Sequence, residues 1–156
     1  MNANKKLTAG SVIAIVAAVL TVVSYIVYAV NLGGAGYFQG VAVAQMPLTW
    51  AAVAALVAAA ALSLVKAEGA VGKVLSLVGG LLQIAAPVLL AYCLISLVGG
   101  RVEGLGFIYF SNADVAKEVQ TAANMSSATM AIASMVCYGV SMLAAMVSAF
   151  VDTRKA

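Results

Sequence analysis

The chain alternates between long apolar stretches and short polar ones. A helix needs about 20 apolar residues to cross the roughly 30 Å hydrocarbon core of a bilayer, because each residue rises about 1.5 Å. Stretches of that length with no Asp, Glu, Lys or Arg in their interior predict membrane-spanning helices. We predict four such spans, at residues 7–30, 47–65, 74–98 and 125–151.

The composition supports the same class. Of the 156 residues, 65% are apolar and 8% are charged, whereas a soluble domain is nearer half apolar and a quarter charged. This excludes a soluble globule, and it also excludes a disordered chain, which has few apolar residues. We therefore predict an all-α integral membrane protein, a four-helix transmembrane bundle with antiparallel neighbours, in which residues 1–156 form one domain.

The basic residues predict the orientation in the membrane, because Lys and Arg of short loops favour the cytoplasmic side. With four crossings, only Arg101 and Lys117 fall on the outer side. The basic residues on the other side are Lys5, Lys6, Lys66, Lys73, Arg154 and Lys155. We expect a multi-pass protein of the cell membrane with both termini in the cytoplasm, and we attribute the net charge of +3 to insertion, with no nucleic-acid partner.

The N-terminal run has an alternative interpretation as a cleaved signal peptide. Lys5 and Lys6 precede an apolar stretch, and cleavage near residues 28–30 would leave three spans. The stretch covers about 24 residues, however, and the apolar region of a signal peptide covers 7–15. We expect the first span to be retained as an anchor.

The predicted outer loops cover residues 31–46 and 99–124. Residues 37–44 and 101–110 are rich in aromatic or β-branched residues and are bounded by glycine, which is typical of short strands. We therefore expect a small extracellular strand pair that joins the two loops.

A helix start is predicted just before the fourth span. Ser111-Asn112-Ala113-Asp114 has the spacing of a capping box, and neither Pro nor Gly follows before residue 125. We expect a long fourth helix that begins near Asn112, outside the bilayer, and runs unbroken into the membrane. A break at residues 124–127 is the alternative.

One face of the fourth span carries regularly spaced serines. Ser127, Ser134, Ser141 and Ser148 recur every seven residues, and we call them the serine face. Helices in lipid associate through close contacts of small residues and through hydrogen bonds. We interpret the serine face as a helix-packing surface, with a polar path for a solute as the alternative.

Gln83 is the one amide side chain deep in a predicted span. An amide without a partner in hydrocarbon costs several kcal/mol, so we expect it to be hydrogen-bonded. At matching depth on the fourth span lies Ser141, and we predict a Gln83–Ser141 hydrogen bond, with Tyr138 as second choice.

Small residues also line the start of the third span, where Gly72, Ser76 and Gly80 are spaced four apart. This spacing places them on one helix face. We expect another helix backbone to approach them closely, near the cytoplasmic leaflet.

The sequence lacks the residues of common catalytic and metal sites. It has no His, and its two cysteines, Cys93 and Cys137, lie on different spans at different depths, so we expect free thiols. No carboxylate lies inside a span, although proton-coupled exporters normally need one. We expect no enzyme activity, no cofactor and no metal.

The layout resembles that of tetraspan proteins, and the expected outer strand pair is similar to that of claudins. The first outer loop has neither the Trp nor the Cys of the claudin signature, so the resemblance transfers no functional residue. The segment Arg101-Val102-Glu103-Gly104-Leu105-Gly106-Phe107-Ile108-Tyr109 also resembles small four-span membrane proteins of Gram-positive bacteria, a resemblance that implies no activity.

These features favour a non-enzymatic membrane protein, an accessory subunit or a self-assembling scaffold acting through helix and outer-loop contacts. Its expected partners are the lipid bilayer and either another membrane protein or a second copy of itself. The alternative is a small transporter or channel that passes neutral or lipophilic solutes along Gln83 and the serine face.

Overall fold

The computed structural model describes residues 8–65 and 68–151. These residues form helices joined by turns and irregular segments, and no β-strand occurs among them. In chain order, α1 to α5 cover Ala9–Gly33, Leu48–Ser63, Gly69–Phe110, Ala113–Val119 and Ala122–Phe150. The predicted all-α class is confirmed for this described part of the chain.

Three of the helices are long and apolar enough to cross a membrane, namely α1 with 25 residues, α3 with 42 and α5 with 29. This indicates an integral membrane protein. The second predicted span, residues 47–65, corresponds to α2, which is apolar but has only 16 residues. At 1.5 Å per residue α2 rises about 24 Å, less than the hydrocarbon core, so three described helices rather than four meet the length for a span.

Most of the basic residues that predict the orientation lie outside the described residues. These are Lys5, Lys6, Lys66, Arg154 and Lys155. Lys73 is described and is exposed on α3, whereas Arg101, predicted to lie in an outer loop, is inside α3 and buried.

Threonine side chains begin two of the long helices. The Thr8 hydroxyl accepts the backbone N–H of Ser11 at 3.3 Å before α1, and the Thr121 hydroxyl accepts that of Asn124 at 3.2 Å before α5. Each bond satisfies one of the N–H groups that a helix leaves free in its first turn.

The expected strand pair is wrong. Residues 101–110 continue α3, and residues 34–47 form turns and irregular backbone. Gly104 shows why the helix continues: a Cβ atom at this position would lie 2.6 Å from the rings of both Tyr37 and Phe38. The glycine therefore allows two aromatic rings to pack on the helix surface, and this tertiary contact outweighs the local strand propensity.

The prediction of one unbroken helix from residue 112 into the membrane is also wrong. A helix does start there, since the Asn112 side chain accepts the N–H of Val115 at 3.0 Å, but this short helix, α4, ends at Val119. The longest helix is α3 instead, with 42 residues and a length of about 63 Å.

The break between α4 and α5 falls at residues 120–121, before the alternative position at 124–127. The Gln120 side chain explains it, because its Nε2 donates to the carbonyl of Ile108 in α3 at 3.0 Å. This bond to another helix holds residue 120 out of helical conformation, and Thr121 then caps α5.

The four longer helices close a ring, since α1 packs against α2 and α5, and α3 packs against the same two. Small side chains dominate the core and let the backbones approach closely, as is usual in membranes. The buried alanines of this core are Ala14, Ala17, Ala18, Ala52, Ala55, Ala60, Ala86 and Ala145.

A second, smaller core lies at the end of the bundle where α1 ends and α5 begins. It is built from Phe38, Ile108, Ala128 and Ala131. We call residues 34–47, residues 99–110 of α3, and α4 together the cap, because they gather around this second core. The described residues thus form two apolar cores, and Met46 of the segment 34–47 belongs to the larger one.

Candidate functional site

The serine face points into the bundle. Ser127, Ser134, Ser141 and Ser148 are at most 3% exposed. The last three each donate to a backbone carbonyl three or four residues earlier in α5, and Ser141 also shares a hydrogen bond with Ser24 of α1 at 2.9 Å. The hydroxyls of these three serines therefore have partners within the bundle itself.

Gln83 is buried, but its partner differs from the predicted one. Its Nε2 donates to the backbone carbonyl of Ser148 at 3.4 Å, and no bond to Ser141 forms. The prediction places the ends of the two spans at the same level. In the structure Gln83 lies 14 residues after the start of α3 at Gly69, whereas Ser148 lies two residues before the end of α5 at Phe150, so α3 extends about 12 residues beyond α5 at this end of the bundle. The partner is therefore one seven-residue repeat further along the serine face than predicted.

Tyr138 belongs to a polar network at the start of α2. Its hydroxyl and that of Thr49 are 2.8 Å apart, and the Thr49 hydroxyl also lies 3.8 Å from the Cys93 sulfur. The Cys93 thiol donates to the carbonyl of Gln45 at 3.5 Å. Cys93 and Cys137 are both free, as predicted, and the network joins α2, α3 and α5.

Arg101 is a candidate functional residue that the sequence analysis did not select. It is fully buried, and among the described residues it is the one charged side chain in the buried set. Its Nη2 donates to the carbonyl of Val41 at 2.7 Å. Its Cζ lies 4.6 Å from the ring centroid of Phe38 and 5.9 Å from that of Tyr28, which are cation–π distances.

The segment 34–47 encloses this arginine. The N–H of Val43 donates to the Tyr28 hydroxyl at 2.8 Å, and the N–H of Phe38 donates to Ser127 Oγ at 3.2 Å. Ser127 in turn donates to Oδ1 of Asn31 at 3.1 Å. Asn31 is thus linked through Ser127 to the backbone of Phe38, and Arg101 contacts the ring of the same Phe38.

Several donors around Phe38 have no acceptor within the described structure. They are Nε and Nη1 of Arg101 and Nδ2 of Asn31. Arg101 also lacks an ion pair there: the salt bridge of the cap joins Lys117 to Asp114 at 3.9 Å, and both of these side chains are exposed. A buried cation with unused donors is able to bind an anion or another strong acceptor.

A helical interpretation of residues 99–110 would have revealed Arg101. Leu97, Arg101, Gly104 and Ile108 follow the 3- and 4-residue spacing of one helix face, and all four are buried. The strand prediction for residues 101–110 breaks this pattern and treats Arg101 as an ordinary loop charge.

A second surface of interest runs along the first half of α3. An open groove of about 470 Å³ is lined by Lys73, Ser76, Leu77, Gly80, Leu81 and Ile84. A Cβ atom added at Gly80 would meet no atom within 4 Å. No described helix therefore covers Ser76 and Gly80, two of the small residues for which a close helix neighbour is predicted.

The described residues contain no group of three His, Cys, Asp or Glu side chains that would hold a metal ion. No family model matches the chain, and no curated protein or solved structure matches it at a significant level.

Proposed function

We propose that this protein is a non-enzymatic integral membrane protein that assembles with a second copy of itself through the open groove on α3. The observation that carries this proposal is the notch at Ser76 and Gly80, which faces away from the bundle. In lipid, small residues on a helix surface allow another helix to approach closely, and such contacts drive association.

The shape of the groove favours a second copy as the occupant. The groove is lined both by small residues, Ser76 and Gly80, and by large apolar ones, Leu77, Leu81 and Ile84. The same surface therefore offers a notch and also large side chains that are able to pack into the notch of a second copy. A two-fold dimer needs this kind of self-complementary patch, because each copy contributes the same residues.

The interior of the bundle supports assembly better than passage of a solute. Hydroxyls that line a water-filled path are exposed, whereas Ser134, Ser141 and Ser148 are fully buried and donate to nearby carbonyls of their own helix. Transport of neutral or lipophilic solutes along the serine face is therefore the less favoured function.

For the arrangement in the cell membrane, we propose four crossings with antiparallel neighbours and both termini in the cytoplasm. The short helix α2 would cross with local thinning of the bilayer, which costs a fraction of a kcal/mol per Å of mismatch. The cap then lies on the outer side, and the groove at Lys73 to Ile84 lies in the cytoplasmic half of the membrane, where a basic residue at its end is favoured.

The substitution Gly80→Leu tests the assembly, because the larger side chain fills the notch. We expect the wild type to dimerise in lipid vesicles and the variant to dimerise at least about tenfold more weakly, as measured by energy transfer between two labelled populations.

Gly79→Leu is the matched control. Gly79 is the neighbouring glycine, a Cβ atom there also meets no atom within 4 Å, and Gly79 does not line the groove. This variant should dimerise like the wild type. A wild type that stays monomeric as the protein-to-lipid ratio is raised would overturn self-assembly, and so would equal weakening by both substitutions.

A further inference from the structure

The cap buries a positive charge without a carboxylate beside it. Arginine stays protonated in proteins, so Arg101 carries its charge although it is 0% exposed. The acidic residues of the cap, Glu103, Asp114 and Glu118, are all exposed. Charged groups in such positions of membrane proteins usually pair with another group or serve a functional site.

The contacts that Arg101 does make leave most of its binding capacity unused. The guanidinium has five N–H donors, and the bond to Val41 uses one of them. The rings of Phe38 and Tyr28 stabilise the charge, but they do not replace acceptors for Nε and Nη1. Nδ2 of Asn31 is a further buried donor without an acceptor, and Asn31 is linked through Ser127 to Phe38, whose ring Arg101 contacts.

Aromatic residues place Arg101 near the level of the lipid headgroups. Tyr25 and Trp50 are in edge contact at 5.1 Å, Tyr25 also contacts Tyr28 at 6.0 Å, and the Arg101 guanidinium lies over the Tyr28 ring. Clusters of Tyr and Trp are enriched at membrane–water interfaces. At this level of a membrane, both phosphate groups of lipids and anions from solution are present.

We propose that Arg101, with Asn31 as a second buried donor, binds an oxyanion, a phosphate or carboxylate group, beneath the segment 34–47. Such a group supplies several acceptor oxygens and a negative charge, which are what the buried guanidinium lacks. Because the side chain is fully covered, binding requires the segment 34–47 to move. This site is separate from the groove on α3, and the proposal does not depend on self-assembly.

The test uses the purified full chain in dodecyl maltoside, without phosphate in the buffer. Inorganic phosphate, acetate or phosphatidylglycerol is titrated in, with sodium chloride at equal ionic strength as the reference, and the melting temperature is followed. We expect a saturating rise, because a ligand that binds only the folded state stabilises it. A rise with phosphate or acetate identifies a soluble anion, and a rise with phosphatidylglycerol alone identifies a lipid headgroup.

Variants then locate the site. Arg101→Lys keeps the charge but loses the planar set of donors, so we expect its apparent affinity to fall at least about tenfold. Lys117→Gln removes a charge from an exposed position of the cap and should bind like the wild type. If none of the three probes raises the melting temperature of the wild type, the proposal is overturned, whether or not Arg101→Lys folds. It is also overturned if Lys117→Gln weakens binding as much as Arg101→Lys.

Discussion

The bundle and the cap bury polar groups in opposite ways. In the bundle, the hydroxyls of Ser134, Ser141 and Ser148 donate to carbonyls of their own helix, so they add polarity without leaving donors unused. In the cap, Arg101 is equally buried but keeps two nitrogens without an acceptor. The bonds of the serine hydroxyls are sufficient for helix packing, whereas the guanidinium of Arg101 has donors left that are able to bind a ligand.

This difference follows from the side chains themselves. A serine hydroxyl in a helix is able to reach the carbonyl three or four residues earlier, so its own helix can supply the acceptor. A guanidinium has five donors on a long stem and needs acceptors that other segments supply. In the described structure, the segment 34–47 supplies one such acceptor, the carbonyl of Val41, together with the Phe38 ring.

The largest expected effect is a loss of stability that is confined to the cap. Gly36 has a φ of +127°, and a Cβ atom there would lie 2.5 Å from the backbone oxygen of Ala123. We expect Gly36→Ala to destabilise the cap by about 2 to 4 kcal/mol, because the strained backbone and the clash add together. Hydrogen exchange should show faster exchange in residues 34–47, with little change in the middle of α5. Gly33→Ala, where a Cβ atom meets nothing within 4 Å, is the control and should leave the cap amides protected.

A smaller effect tests how much Arg101 stabilises the segment 34–47. Arg101→Met removes the bond to Val41 and the contact with the Phe38 ring, and we expect the amides of residues 38–43 to exchange about tenfold faster. Lys117→Met replaces an exposed cation and should leave these rates unchanged. Equal exchange rates in Arg101→Met and the wild type would mean that other contacts hold the segment.

The smallest effect concerns the bundle. Ser24 and Ser141 share a hydrogen bond between α1 and α5, and such bonds contribute about 0.6 kcal/mol on average in membranes. A double-mutant cycle with Ser24→Ala and Ser141→Ala should give a coupling energy of about this size, measured by unfolding in mixed micelles. A coupling energy above about 2 kcal/mol would contradict the interpretation of the serine face as a simple packing surface. The contrast between packing hydroxyls in the bundle and unused donors in the cap would then no longer hold.

The sequence pattern predicted the elements that depend on local apolar runs. The apolar stretches at residues 7–30, 74–98 and 125–151 each fall largely within one long helix, and a helix begins beside Asn112 as expected, although Asn112 rather than Ser111 of the predicted capping box caps it. The sequence pattern failed where tertiary contacts override local preference. Gly104 packs against Tyr37 and Phe38, which lie at least 66 positions earlier in the chain, and α3 continues through it. Gln120 bonds Ile108, 12 positions earlier, at the point where the helix breaks between α4 and α5.

The sequence by itself determined that the chain enters a membrane, because hydrophobicity is a sum over residues and needs no knowledge of their neighbours. The sequence also determined that the four serines share one helix face, because the number of residues per helical turn is fixed. Only the tertiary structure decided that Gln83 bonds Ser148 and that Arg101 is buried under residues 34–47. Register and burial depend on how far each helix extends and on which segments meet, and both are set by contacts between residues distant along the chain.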